Sequence, residues 1–148
     1  MRKFLVVVFF ALLVAGCVRA PDEVRIRAAI DAMAAAVEAR NPSDFMEHVA
    51  ADFTGNDGQF DHAQLERLLR VLVLGQSAPQ VSLGAIDITI AGERATVNAT
   101  ATVSGAQRWL RGHGGRIDIV SGWRLEDGEW RCYNATWSGD GITGNSAP

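Results

Sequence analysis

Trp123-Arg124-Leu125-Glu126-Asp127-Gly128-Glu129-Trp130-Arg131 is the stretch that decides the fold. Asp-Gly between two alternating runs predicts a two-residue hairpin turn, because both residues tolerate the positive φ that such a turn demands. The turn sets a register. Leu125 faces Trp130, Trp123 faces Cys132, Ser121 faces Asn134 and Ile119 faces Thr136 on one side; Arg124 meets Arg131, Gly122 meets Tyr133 and Asp118 meets Trp137 on the other. The first side is apolar beside the turn and becomes polar at Ser121 and Asn134, so it is expected to close a core and then present two polar groups beyond it.

Upstream, residues 81–90 and 94–104 also alternate, around Gly92-Glu93, and predict another hairpin with Ile90 facing Ala95, Ile88 facing Val97 and Ile86 facing Ala99. Its other face carries Asp87, Thr89, Thr96, Asn98, Thr100 and Thr102, giving a sheet with one oily and one hydroxyl-rich side. Before residue 75 the period is helical. Residues 21–40 form an expected helix with the stripe Ile26, Ile30, Met33 and Val37, ended by Asn41-Pro42. A second short helix is expected over 44–51, then an Asn56-Asp57-Gly58 turn. A third helix to about Leu74 opens with Asp61 and Gln64 placed for a capping box and buries Leu65, Leu68, Leu69 and Leu72. The connection over 105–115, rich in Gly, is long enough to cover an opening.

Composition bounds the function. The chain has 148 residues, 14 Lys+Arg, 17 Asp+Glu and two Cys, which fits one domain and excludes a disulfide framework. Residues 1–16 read as a signal peptide: Arg2-Lys3, then an uncharged run over 4–14 too short to span a bilayer. Their removal takes two basic and no acidic residues, so the domain is more acidic than the chain's net −3 and lacks a cationic cluster for nucleic acid.

Leu13-Val14-Ala15-Gly16-Cys17 resembles the lipobox of bacterial lipoproteins. That resemblance implies lipidation at Cys17, a tether over 17–22 and a membrane partner held through more than one acyl chain. With Val18 rather than Asp next to Cys17, it further implies an outer membrane, facing the periplasm. Cys132 is then the remaining thiol, expected buried and inert.

Three helices followed by a curved antiparallel sheet closing with paired Trp is similar to the nuclear transport factor 2-like superfamily, over residues 23–138, with a tail over 139–148. The segment Asp52-Phe53-Thr54-Gly55-Asn56-Asp57-Gly58 before a Leu-rich helix is similar to uncharacterised bacterial lipoproteins of that superfamily. The resemblance implies an α+β, cone-shaped, cystatin-like fold: three N-terminal helices packed on the concave face of the sheet around a cavity. The superfamily hosts isomerases, dehydratases, carriers and adaptors, so function must come from the cavity. Its isomerases use a carboxylate base beside a Tyr and an Asp on the sheet. Here Tyr133, Asp87 and Asp118 are expected on the outer face, so that set does not carry over.

Phe53, Leu69, Trp109, Ser121, Trp123 and Asn134 form the candidate pocket for a small apolar ligand, with Ser121 and Asn134 orienting it. Tyr133 and Trp137 are the candidate interface on the outer face, for a homodimer or another protein. His48, His62 and His113 lack metal-ligand spacing, so neither a metal nor a cofactor is expected. Asp52, Asp57 and Asp61 are candidate bases for catalysis, although turn and cap duties account for the last two. A binding protein is the first reading, an interaction module the second and an isomerase- or cyclase-like enzyme the third. A hollow cone requires that Trp123 and Trp130 point inward.

Overall fold

The computed structural model describes residues 19–74, 78–105 and 115–139. Helix α1 (Asp22–Glu38) starts behind Pro21 and carries Asp22 and Glu23 in its first turn, where the helix dipole favours anions. It buries Ile26, Ala29, Ala36 and Val37. Arg40 takes a φ of +57° and the Asn41 N–H returns 2.8 Å to the Ala36 carbonyl, which ends the helix before Pro42. Helix α2 is only Pro42–Met46, with Asn41 Oδ1 accepting from the Asp44 N–H. Helix α3 (His62–Val73) opens on the expected capping box: Asp61 Oδ1 accepts from Gln64 N (2.7 Å) and Gln64 Oε1 from Asp61 N (2.8 Å).

Between α2 and α3 the structure corrects the sequence reading. Residues expected to end a helix and enter a turn form strand β1 (Val49–Gly55), followed by the two-residue β2 (Phe60–Asp61). The cause is tertiary. Val49 pairs in parallel with Cys132, whose N–H bonds the His48 carbonyl at 2.9 Å, and without β1 this edge of the sheet would be left unpaired.

The remaining strands are β3 (Gln80–Ala91), β4 (Arg94–Ser104), β5 (Gly115–Glu126) and β6 (Glu129–Gly139), and the sheet order is β2-β1-β6-β5-β4-β3. The first hairpin has the expected register, with Ile90 opposite Ala95, Ile88 opposite Val97 and Ile86 opposite Ala99. A register shift between Leu83 and Ile86 lets Leu83, opposite Ala101, share the inner face.

In the second hairpin Asp127 and Gly128 both hold positive φ, and Leu125–Trp130 and Trp123–Cys132 pair as expected. Beyond them the register shifts by one: Gly122 is opposite Asn134, Ser121 opposite Ala135 and Ile119 opposite Trp137. Tyr133 is the extra residue of a bulge, and every β6 side chain after it changes face. Asn134 and Thr136 therefore turn outward, and Ala135 and Trp137 turn in, opposite to the expectation for Asn134 and Trp137. The bulge satisfies its own polar groups. Asn134 Oδ1 accepts from the Gly122 N–H (2.8 Å), and the Cys132 thiol donates to the Asn134 carbonyl (3.2 Å).

Helices lie on the inner face of the sheet, and the core is densest at the Asp127–Gly128 end. Trp123 is 2% exposed, Trp130 3% and Ile26 fully buried. Trp130 Nε1 donates to Asp22 Oδ1 (3.0 Å), and the guanidinium groups of Arg19 and Arg25 both donate to the Gly128 carbonyl, fastening the start of α1 to the turn.

Candidate functional site

Away from that filled end the helices and sheet form a partly open cavity of about 250 Å³. Met33 and Val37 of α1, Phe45 of α2, and Leu65, Leu69 and Leu72 of α3 wall one side. The sheet side is built largely from short side chains, Val97, Ala99, Ala101 and Ala135, with Ile117, Ile119 and Trp137 farther along. Large side chains therefore occupy the closed end and small ones the middle of the sheet, which is why a void remains instead of a solid core.

Trp137 enters through the bulge. Its ring lies 5.2 Å from Phe60 and against Gly55, where an added Cβ would come within 2.7 Å of Cη2. The Asn56 side chain holds the strand there, its Oδ1 accepting from the Trp137 N–H at 2.9 Å. Glycine at 55 is what lets the indole approach β1 so closely.

The buried polar side chains on the cavity wall are Ser121 and Cys132. Ser121 is 7% exposed and its Oγ accepts from Trp123 Nε1 at 2.9 Å. Among the described residues the Ser121 hydroxyl proton has no protein acceptor. The Cys132 proton is engaged with the Asn134 carbonyl, and burial pushes this thiol up to about 12, so it is inert as a nucleophile.

Of the sequence-predicted pocket residues, Phe53, Leu69 and Ser121 line the cavity together. Trp123 lies behind the wall and touches the site through Ser121. Asn134 is exposed on the outer face, bonded to Gly122. Trp109 and Cys17 fall outside the described residues, as does His113. Of the interface pair, Tyr133 stays on the outer face, its ring 5.2 Å from the Arg94 guanidinium and 5.4 Å from that of Arg124, whereas Trp137 belongs to the cavity. Met33, Ala99, Ala101 and Ala135 were not among the candidates; the run of Ala at alternate positions of β4 was the available signal.

The candidate bases lie elsewhere. Asp52 is exposed, and Arg124 grips both its oxygens (2.5 and 3.1 Å) and holds its carboxyl below the ordinary range. Asp57 sits in the turn at a φ of +56°, and Asp61 caps α3. His48 is half-buried, which lowers its pKa, and His62 begins α3; neither lines the cavity. Among the described residues no cluster of His, Cys, Asp and Glu could hold a metal ion.

No protein-family model matches the chain, and no curated protein is significantly similar to it. Solved structures are. A protein of unknown function from Pseudomonas putida, described as nuclear transport factor 2-like, superposes with a TM-score of 0.68 at 18% identity, covering 79% of this chain and 85% of that one. A protein of unknown function with a cystatin-like fold from Nostoc punctiforme gives 0.65 at 15% identity, covering 82% and 93%. A protein provisionally described as a dehydratase of the nuclear transport factor 2-like family, from Streptomyces avermitilis, gives 0.66 at 15% identity, covering 79% and 94%. These likenesses show the fold: α+β, nuclear transport factor 2-like, with helices packed on a six-stranded sheet.

Proposed function

We propose that this domain is a non-catalytic binding protein that holds a small apolar molecule in its cavity while tethered by lipid on Cys17 to a membrane facing the periplasm. The observation that carries the binding reading is the void itself. A partly open hollow of about 250 Å³ with an almost wholly apolar wall leaves the facing side chains of helices and sheet without packing partners, the usual setting of a small-molecule site. A sequence that places Ala at 99, 101 and 135 opposite four Leu of α3 keeps that space open, and an occupant would supply the missing contacts. A dehydratase reading, suggested by the Streptomyces protein, finds no carboxylate or imidazole among the described lining residues to move a proton.

The tether reading rests on the lipobox-like stretch ending at Cys17 and agrees with the position of Arg19, which bonds the Asp127–Gly128 turn at the filled end of the cone. A lipid on Cys17 would hold that end towards the bilayer and leave the cavity accessible from the other side. Two experiments test the proposal. Ala135→Phe, which grows a side chain into the void, is expected to strip the mass adducts that copurify with the wild-type chain from its own envelope; unchanged adducts would refute cavity binding. Cys17→Ser is expected to end incorporation of labelled palmitate, and retained label would refute lipidation at that residue.

A further inference from the structure

We infer that the occupant is a neutral molecule of about one ring, bearing a single carbonyl or ether oxygen that accepts the Ser121 hydroxyl proton. This deepens the binding reading above and rests on it. Three features of the cavity carry the inference: its size, its charge and the direction of its one available hydrogen bond.

Size comes first. An apolar cavity of about 150 Å³ is known to take benzene, so 250 Å³ accommodates about ten non-hydrogen atoms. A long acyl chain or a polycyclic lipid would project beyond these walls into water. Charge is next: no Lys, Arg, His, Asp or Glu is among the described lining residues. A carboxylate, phosphate or ammonium group brought into this wall would lose its hydration with no counter-ion to replace it, so the occupant is uncharged.

The hydrogen bond follows from the pairing of Ser121. Its cross-strand neighbours are Val97 and Ala135, both small, and Ser121 lines the cavity with only a small part of its surface uncovered. Trp123 Nε1 donates to the oxygen from within the filled end, which occupies a lone pair and leaves the proton to be offered elsewhere. The neighbouring thiol does not compete for a ligand, because Cys132 already donates to the Asn134 carbonyl on the bulge. Ser121 thus acts towards the cavity as a donor. A ligand acceptor satisfies it, whereas a hydrocarbon of the same shape displaces any water there and leaves the proton unpaired.

The test uses two isosteres, acetophenone and α-methylstyrene, which differ by C=O against C=CH₂, with benzoate as the charged analogue. The full-length chain and its variants are titrated in one detergent, followed by the methyl resonances of Ala99 and Ala135. Comparing the affinity ratio of the two probes between variants cancels their partition into detergent. Wild type is expected to favour acetophenone by about three- to tenfold over the ratio in Ser121→Ala, the range of one net hydrogen bond. Ser121→Thr, which keeps the hydroxyl, retains the preference, and benzoate shifts neither methyl. Equal ratios in wild type and Ser121→Ala, or binding of benzoate, would overturn the ligand class while leaving cavity binding intact. Failure of both neutral probes to shift either methyl at millimolar concentration would instead overturn the binding reading and this inference with it.

Discussion

Gly122→Ala puts the β6 bulge to a quantitative test. A Cβ at this position would stand 2.5 Å from Asn134 Oδ1, 2.8 Å from Tyr133 Cζ and 2.9 Å from Tyr133 Oη. Neither neighbour can simply swing away. Asn134 Oδ1 is the acceptor for the Gly122 N–H, and the Tyr133 ring is in contact with the guanidinium groups of both Arg94 and Arg124. Overpacking of this kind costs about 1–3 kcal/mol, and displacing Asn134 adds about 0.5–1.5 kcal/mol for the hydrogen bond. The reduced freedom of the unfolded chain returns about 0.4–1 kcal/mol. The expected net loss is about 2 kcal/mol, a drop of about 1 M in the urea midpoint followed by tryptophan fluorescence. In a Tyr133→Ala background the ring contacts are gone, and the same substitution should cost about 1 kcal/mol less in a double-mutant cycle. In a regular ladder, with residues 122 and 133 side by side, Cβ atoms would stand about 4.5–5.5 Å apart and alanine would be tolerated. A loss below about 0.5 kcal/mol that is also additive with Tyr133→Ala would refute the bulge geometry.

Ser121→Ala leaves the Trp123 indole N–H buried without its acceptor and should lower unfolding free energy by about 1–3 kcal/mol, whereas Ser121→Thr, which keeps an oxygen, should lose less; equal urea midpoints for wild type and the alanine variant would contradict the pairing. The carboxyl of Asp22 is lowered from its ordinary 3.8, chiefly by the Trp130 hydrogen bond, and that of Asp52 chiefly by Arg124. Because these folded-state values lie below the unfolded ones, their stabilisation is full above the ordinary carboxylate range and is lost as pH falls through the lowered values. Asp22→Asn with Asp52→Asn should therefore lower the neutral plateau of the urea midpoint and flatten its acid limb, and an unchanged limb would remove both assignments. Cys132, pushed up to about 12, should resist iodoacetamide at pH 8 in the folded chain and react on unfolding in urea; rapid stoichiometric labelling of Cys132 without urea would show that the thiol is not buried as described.

Local rules with strong chemistry were legible in the sequence: the Asp61–Gln64 capping box, the Asp127–Gly128 turn and the register of the first hairpin all depend on neighbours within a few residues. What was not legible depends on distant partners. Strand β1 exists because β6 needs a neighbour, and no pattern within residues 49–55 announces that need. The bulge at Tyr133 is another such case. An alternating run reads the same with or without an extra residue, so Asn134 and Trp137 were assigned to each other's faces. Gly122 was the one available hint, since a strand glycine often marks a close approach of another chain segment. Of the five candidate pocket residues that are described, Phe53, Leu69 and Ser121 lie before the shift or away from it and line the cavity, Trp123 lies behind the wall, and Asn134 lies after the shift and faces outward.

The same shift joins the fold to the site. In a regular ladder Asn134 and Thr136 would face the Leu side chains of α3, and two polar side chains in that wall would each need a partner or cost about 1–3 kcal/mol. Trp137 would meanwhile lie on the outer face beside Val120, an apolar patch on a sheet otherwise covered by Thr, Asn, Asp and Arg. One added residue removes both problems. It brings Ala135 opposite Ser121, where a small side chain leaves room beside the wall, and Trp137 opposite Ile119, where an aromatic ring completes the wall. Tyr133, left outside, is covered by two arginines and shields the glycine that makes room for it. The cavity and its lone donor are therefore properties of the register, and a variant that restored the regular ladder would lose both together.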